Sequence, residues 1–322
     1  MAQATGTIDT LDITGIAEDV EDIINDISPT DTPFYTNAKR KKATNTFHQW
    51  QTDALAAAAA NRAIEGDEST YATVASTTML GNYCQIAKKN VMVSGTADAV
   101  RKYGRKEEFA RIVVKQGKEM KRDIEFALVQ NQASSAGGSA TARSSAGVES
   151  MISGNRILGT GNTTGTTPGY AAGVWAAPTD GTATAMTEAD LVSALEAAWT
   201  DGGDASTVMV GAALKKKIGT FAGASSFAGV SVNQGRTSQG VIVGGVDLYI
   251  SPFGEHKIVL NRFMRTGTLL ALDMEYWSVA FLRPIKFEER AKTGDATKGE
   301  LLAEFCLVGD QPDASAKIQA VT

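Results

Sequence analysis

The side chains that most often do chemistry are scarce in this chain. It has two histidines, His48 and His256, and two cysteines, Cys84 and Cys306. A zinc site needs three or four ligands at set spacings, as in H-E-x-x-H or paired C-x-x-C. Neither histidine has such a neighbour, and no C-x-x-C occurs. Both histidines therefore read as surface or packing residues. The cysteines lie far apart, in apolar strand-like runs, and read as buried reduced thiols. A disulfide framework would need more cysteines and a secretory setting.

Three glycine-containing strings invite a phosphate-binding or acyl-transfer reading, and each fails on its chemistry. GTGNTTG at residues 159–165 has three residues before its last glycine where the dinucleotide fingerprint has two. No strand-to-helix transition surrounds it. GDATKGE at residues 294–300 has the P-loop glycine spacing but puts Glu300 where a lysine must reach the phosphates. Lys292-Thr293-Gly294 matches one element of a penicillin-binding site, but the chain has no S-x-x-K partner and no G-x-S-x-G. The acidic residues are dispersed and form no evident carboxylate pair. The sequence gives no reason to expect an enzyme, a cofactor or a metal.

The totals narrow the class further. The chain has 322 residues, 43% hydrophobic and 21% charged, enough for one large domain or two modest ones. A formal net charge of -5 argues against a protein that grips nucleic acid phosphates, which requires a clustered basic excess. The first residues, MAQATGTIDTLDITG, lack the basic and apolar regions of a signal peptide. No apolar run approaches the ~20 residues that span a bilayer. The chain reads as one made and used in a reducing, aqueous compartment, with no membrane partner.

The elements come in an informative order. Residues 1–45 read as a polar arm. Residues 12–27 could form a short acidic amphipathic helix, and Pro29 and Pro33 exclude helix beyond it. Lys39, Arg40, Lys41 and Lys42 form a basic run, read either as a solvated surface or as a contact with an acidic neighbouring subunit. Strand-like runs at 46–52 and 83–93 flank a tip, DALAAAAANRAIEGDESTYAT at 53–73, with almost nothing large and apolar to bury. Its five consecutive alanines favour helix, but so short an isolated helix is marginal in water, and so is a lone two-stranded ribbon. Such a loop needs something outside its own fold to hold it.

Residues 97–132 carry the strongest helical periodicity, with Phe109, Ile112, Val113, Met120, Ile124 and Leu128 on one stripe. Gly104 and Gly117 interrupt it. Gly117 reads as tolerated, as a close-packing point for another backbone, or as a bend. Gly-, Ser- and Thr-rich stretches follow, around a short helix and turn at 148–158. Residues 187–203 form a capped helix. Residues 207–211 are a short buried strand, 212–220 a helix and 221–240 a second loop. Strands are expected at 241–250, 256–260, 268–272, 276–282, 285–289, 301–308 and 317–321. Leu301, Ala303, Phe305 and Leu307 alternate and should share a face.

This order, together with four local strings, resembles the major capsid proteins of tailed bacteriophages with the Hong Kong 97-type fold. The strings are TPFYTNA at 32–38, KKATNTFHQWQTD at 41–53, ARSSAGVESMI at 142–152 and LDMEYWSVAFLRPI at 272–285. The resemblance implies an α+β fold with an N-arm at 1–45 and an extended two-stranded loop at 46–93. It also implies a peripheral domain at 94–170 and 262–322, with a spine helix at 97–132, and an axial domain at 171–261. It implies self-assembly as hexamers and pentamers into an icosahedral shell in the host bacterial cytoplasm. Scaffolding and portal proteins, and in some members a decoration protein, would be partners. Packaged double-stranded DNA would be enclosed without sequence-specific binding.

On this reading the loop lies over a neighbouring subunit, with Asn61, Arg62, Glu65, Asp67 and Glu68 as its contacts, and Lys39, Arg40, Lys41 and Lys42 serve the N-arm. Gly117 becomes the hinge candidate of a spine helix that bends in the precursor shell and straightens on expansion. Some members crosslink this loop through a lysine, but residues 43–87 contain none, so no crosslink is expected here. The alternative with the same fold is an encapsulin-type nanocompartment shell. A tail-tube subunit fits less well, because tube subunits are mostly strand.

Overall fold

Two large sheets and three helices bury most of the apolar residues. The structure is a computed structural model that describes residues 29–66, 68, 71, 73–103, 107–224 and 247–322, with the side chains of 222–224 excepted. The acidic helix expected at 12–27, Gly104, and most of the loop expected at 221–240 lie outside the described residues.

The first sheet has four strands, in the order β1 (Lys39–Lys42), β12 (Trp277–Arg290), β13 (Ala296–Gly309) and β4 (Gln85–Ser94). β1 runs parallel to β12, and the other pairs are antiparallel. Leu301, Ala303, Phe305 and Leu307 share the face of β13 that packs with Met120, Ile124 and Leu128 of helix α3 (Glu108–Val129). The intervening residues Leu302, Glu304, Cys306 and Val308 are buried too, so β13 is a central strand covered on both faces. Strands 276–282 and 285–289 prove to be one strand, β12. Pro284 sits where its register against β13 shifts, between Phe281 and Lys286, a position that does not need the missing N–H.

The second sheet has six strands: β5 (Arg156–Leu158), β14 (Ala316–Gln319), β11 (Leu269–Leu272), β8 (Thr207–Val210), β10 (Gly254–Leu260) and β9 (Leu248–Ser251). Helices α5 (Glu188–Thr200) and α6 (Ala212–Ala224) cover it with Leu191, Leu195, Leu214 and Ile218. α5 starts with a true capping box: Thr187 Oγ1 accepts the Asp190 N–H, and Asp190 Oδ2 accepts the Thr187 N–H at 2.8 Å.

Three local expectations are corrected. Pro33 begins a helix, α1 (Pro33–Asn37), because proline at the first helical position lacks only an N–H that would be unpaired there. The periodic stretch at 97–132 is not one helix. Ser94 caps a short helix, α2 (Gly95–Ala99), the chain turns extended at Val100, and α3 starts only at Glu108 and ends at Val129. Arg101, Lys102 and Glu107 between them have good helical propensity, but Val100 and Tyr103 beside them are exposed and bring nothing to the core. Finally, the return strand of the loop ribbon is not 83–93. β2 (Phe47–Thr52) pairs with β3 (Thr78–Tyr83), and the chain then crosses at Cys84 into β4, which belongs to the large sheet.

Candidate assembly surface

The ribbon is anchored at its root and bare at its tip. Asn82, fully buried, donates to the Leu307 carbonyl at 2.8 Å and to Ser145 Oγ at 3.0 Å, while its Oδ1 accepts the Tyr83 and Ala146 N–H groups, both at 2.9 Å. Trp175 Nε1 donates to the Gly81 carbonyl at 2.9 Å. A Cβ at Gly81 would lie 2.6 Å from the Phe47 ring, so glycine is what lets the two strands close there. Beyond Thr52 the described residues up to 77 form neither helix nor strand, and all are exposed. The alanine run does not fold into helix, as expected for a short segment with no surface to pack on.

The tip is not purely polar. Leu55 is 100% exposed, Ile64 81%, Tyr71 97% and Val74 89%. Four large apolar side chains so fully in water on one excursion are unusual for a subunit that works alone. Asn61, Arg62, Glu65 and Glu68 are exposed beside them, and Asp67 lies outside the described residues.

The basic run becomes strand β1, at the edge of the four-stranded sheet. Lys41 bridges to Asp310 at 2.6 Å, Lys39 approaches Glu275 at 3.9 Å, and the Arg40 guanidinium lies 3.7 Å over the Tyr35 ring. Lysine on an edge strand discourages uncontrolled strand addition. Just upstream, α1 is fixed by Glu125, on the buried side of α3. Its carboxylate accepts the Phe34 and Tyr35 N–H groups and Asn261 Nδ2. Burial pushes the Glu125 carboxyl up, against the pull of these donors.

The remaining buried charges were not visible in the sequence. Glu149 is held by Arg265, which also pairs with Asp180. Lys317, fully buried, donates to the Glu149 carbonyl at 2.5 Å, and burial lowers its amine to about 7. Glu304 takes both Arg143 and Arg283. These pairs tie distant chain segments together, with the carboxylates of Glu149 and Glu304 buried and their arginines reaching the surface. His256 is buried, between Ser251 Oγ at 2.6 Å and the Ala205 carbonyl at 2.7 Å. That Ser–His contact resembles a nucleophile and its base. However, Ser251 Oγ also accepts the Phe253 N–H at 3.1 Å, the geometry of a serine turn between β9 and β10. Among the described residues no group of three His, Cys, Asp or Glu side chains could hold a metal ion, and no helix is long and apolar enough to cross a membrane. The site with something left to do is the loop, its root and the arm beside it.

The comparisons agree with that geometry. The family model of the SU10 major capsid protein matches residues 3–322. The chain belongs to the SU10 major capsid protein family. It is thus a tailed-phage major capsid protein. The major capsid protein of Escherichia phage Phieco32 is 28% identical to it over 321 residues, 91% of this chain and 90% of the relative. Among solved structures, the cyanophage A-1(L) capsid asymmetric unit superposes with a TM-score of 0.67 at 14% identity, over 98% of each chain. The capsid of cyanophage P-SCSP1u gives 0.60 at 13% identity, over 99% of each chain. The fold is the α+β, Hong Kong 97-type capsid fold.

Proposed function

We propose that this capsid protein self-assembles as hexamers and pentamers, with the loop of each subunit laid over its neighbour, into an icosahedral shell around double-stranded DNA. The observation that carries the interlocking is the excursion at 53–77, which exposes Leu55, Ile64, Tyr71 and Val74 on a root that is firmly hydrogen-bonded. An apolar tip on a rigid stem is stabilised by docking, at little further cost in ordering the stem.

The layout we assign is an N-arm at 1–45, an extended loop at 46–93, a peripheral domain at 94–170 and 262–322, and an axial domain at 171–261. α3, β12 and β13 lie in the peripheral range and α5, β8, α6, β9 and β10 in the axial range, while β5, β11 and β14 carry the six-stranded sheet into the peripheral range and β4, at the end of the loop range, belongs to the four-stranded sheet. Asn61, Arg62, Glu65, Asp67 and Glu68 serve the inter-subunit contact. Lys42 is the residue of the basic run best placed to reach a neighbour, since Lys39, Arg40 and Lys41 have partners in their own subunit. Assembly in the host cytoplasm with scaffolding and portal proteins, and with a decoration protein where one exists, completes the reading. The net charge of -5 suits a container that must not grip its DNA. Nothing in the comparisons favours the nanocompartment alternative.

Size-exclusion with light scattering and negative-stain imaging, on the protein expressed alone, tests this. Wild type should give hexamers, pentamers or angular shells, and a variant with residues 55–74 replaced by a short Gly-Ser turn should remain a folded monomer. A loop-shortened protein that still builds closed shells would refute the interlocking role.

A further inference from the structure

The two cysteines, 222 positions apart in the chain, meet at the root of the loop. β13 pairs with β4 up to Phe305 opposite Gln85; one step further along that register Cys306 comes opposite Cys84, and the two thiols are in hydrogen-bonding contact. Both are free and fully buried, and they share a small apolar cluster with Ala43, Ala280 and Val308. The Cys84 N–H is spent on the Thr46 carbonyl at 2.7 Å, pointing away from β13. The pair is therefore of the non-hydrogen-bonded kind, in which facing Cα atoms sit about 4.5 Å apart and side chains approach closely. A disulfide accepts Cα separations of about 4.4–6.8 Å. The backbone already holds the two thiols where a bond can form.

We propose that Cys84 and Cys306 are a disulfide site, closed by exchange with a small-molecule disulfide of the glutathione type, which fastens the root of the loop to β13. The inference goes beyond the assembly reading and does not depend on it. Cys84 is the attacking sulfur, because the hydrogen bond from Cys306 favours its thiolate, whereas that same contact and then burial push the Cys306 thiol up. The Cys84 thiolate attacks one sulfur of R–S–S–R, forming Cys84–S–S–R and releasing one thiolate, which takes up the Cys84 proton. Cys306 then loses its proton to solvent, and its sulfur attacks the Cys84 sulfur. The second thiolate leaves and is protonated in turn. Two protein thiols are oxidised and one small disulfide is reduced to two small thiols.

Neither sulfur is exposed, so exchange waits for a transient opening where β3 hands over to β4. The bond would stay open in a reducing cytoplasm and close after release into an oxidising medium. It would close a loop of about 220 residues and so restrict the unfolded chain strongly.

The test uses the whole chain and its assembled particles. They are equilibrated with oxidised glutathione, denatured, alkylated with N-ethylmaleimide and mapped by mass spectrometry. The expected result is a linked pair of peptides carrying residues 84 and 306, loss of both alkylatable thiols, and no covalent dimer on a non-reducing gel. The thermal midpoint should rise on the order of 5 °C and return with dithiothreitol. Cys84→Ser should abolish both the link and the shift. If that variant fails to fold, reduced and oxidised wild type decide the matter between them. Two thiols still alkylatable after oxidation, a persistent mixed disulfide with glutathione, or crosslinks between chains would each overturn the proposal.

Discussion

Glu125, near the end of α3, accepts the backbone N–H of Phe34 at 3.0 Å, from a residue 91 positions earlier in the chain. The next N–H, of Tyr35, reaches the other carboxylate oxygen at 2.6 Å. A side chain in the core of the subunit thus supplies the helix cap that the arm's own residues do not, since Thr32 makes no side-chain cap bond. Asn261 donates to the same carboxylate at 2.5 Å, so arm, α3 and the segment after β10 meet at one group.

Glu125→Ala should free the arm without unfolding the body. It strands the donors of Phe34, Tyr35 and Asn261, at a cost of about 2–3 kcal/mol. Urea unfolding should show that loss, and limited proteolysis should cut ahead of residue 38 in the variant but not in wild type.

Gly117→Ala separates tolerance from hinging. A Cβ at Gly117 meets nothing within 4 Å, so close packing of another backbone within the subunit is not what the glycine serves. Alanine should stabilise the isolated subunit by about 1 kcal/mol. If the residue is a hinge, shells of the variant should assemble yet expand more slowly, as followed by time-resolved light scattering. Unchanged expansion would remove the hinge role.

Lys317 predicts a pH dependence with a definite sign. Burial lowers its amine to about 7, against 10.5 in the unfolded chain. Between those values the unfolded state holds the extra proton, so stability rises as pH increases from about 7 to about 10.5. Below 7 the penalty of the buried charge is fully present. Lys317→Met removes the titrating group while Arg265 keeps Glu149 paired. The stability difference between variant and wild type should therefore shrink across pH 7–10, by on the order of 1.4 kcal/mol per unit at most. Parallel denaturant titrations at pH 6, 8 and 10 would show it, and two parallel stability–pH curves would count against it.

Ser at Leu55, Ile64, Tyr71 and Val74 should leave the monomer almost untouched, within about 0.5 kcal/mol, because these side chains lose no contact in the isolated subunit. Shell yield should fall steeply. If instead the monomer melts earlier, the tip packs on its own subunit and the interlocking reading fails.

Mature particles should run as a single monomer band on a reducing denaturing gel, since residues 43–87 offer no lysine for a crosslink at the loop. A ladder of covalent multimers would contradict this.

The strands of the last third were legible because Leu301, Ala303, Phe305 and Leu307 alternate, and α5 because Thr187 and Asp190 spell its cap. The crossing at Cys84 was not. It depends on Asn82 bonding to Ser145 and to Leu307, 63 and 225 residues away, and nothing in the local pattern of 78–94 announces it. The late start of α3 was hidden for the opposite reason: Arg101, Lys102 and Glu107 have helical propensity, while the apolar residues beside them, Val100 and Tyr103, stay exposed. Nothing local announces the burial of Glu125, Glu149, Glu304 and Lys317, because the arginines and amides that make it tolerable lie far along the chain. The loop was legible as an excursion with little to bury, but its scattered apolar side chains were recognisable as fully exposed only once the ribbon register was known.

The strand order of the six-stranded sheet also imposes a schedule on synthesis. β14, close to residue 319, lies between β5 and β11, and β11 is what joins β14 to β8, β10 and β9. A growing chain can pair β8 with β10 and with β11 as soon as these have left the ribosome, but β5, made long before, cannot join the sheet until residues 316–319 emerge between it and β11. Lys317 and the Glu149 carbonyl it engages are then brought together last. A nascent subunit cannot complete this sheet before residue 319 is made, so chains crowded on one message do not meet as finished building blocks before then.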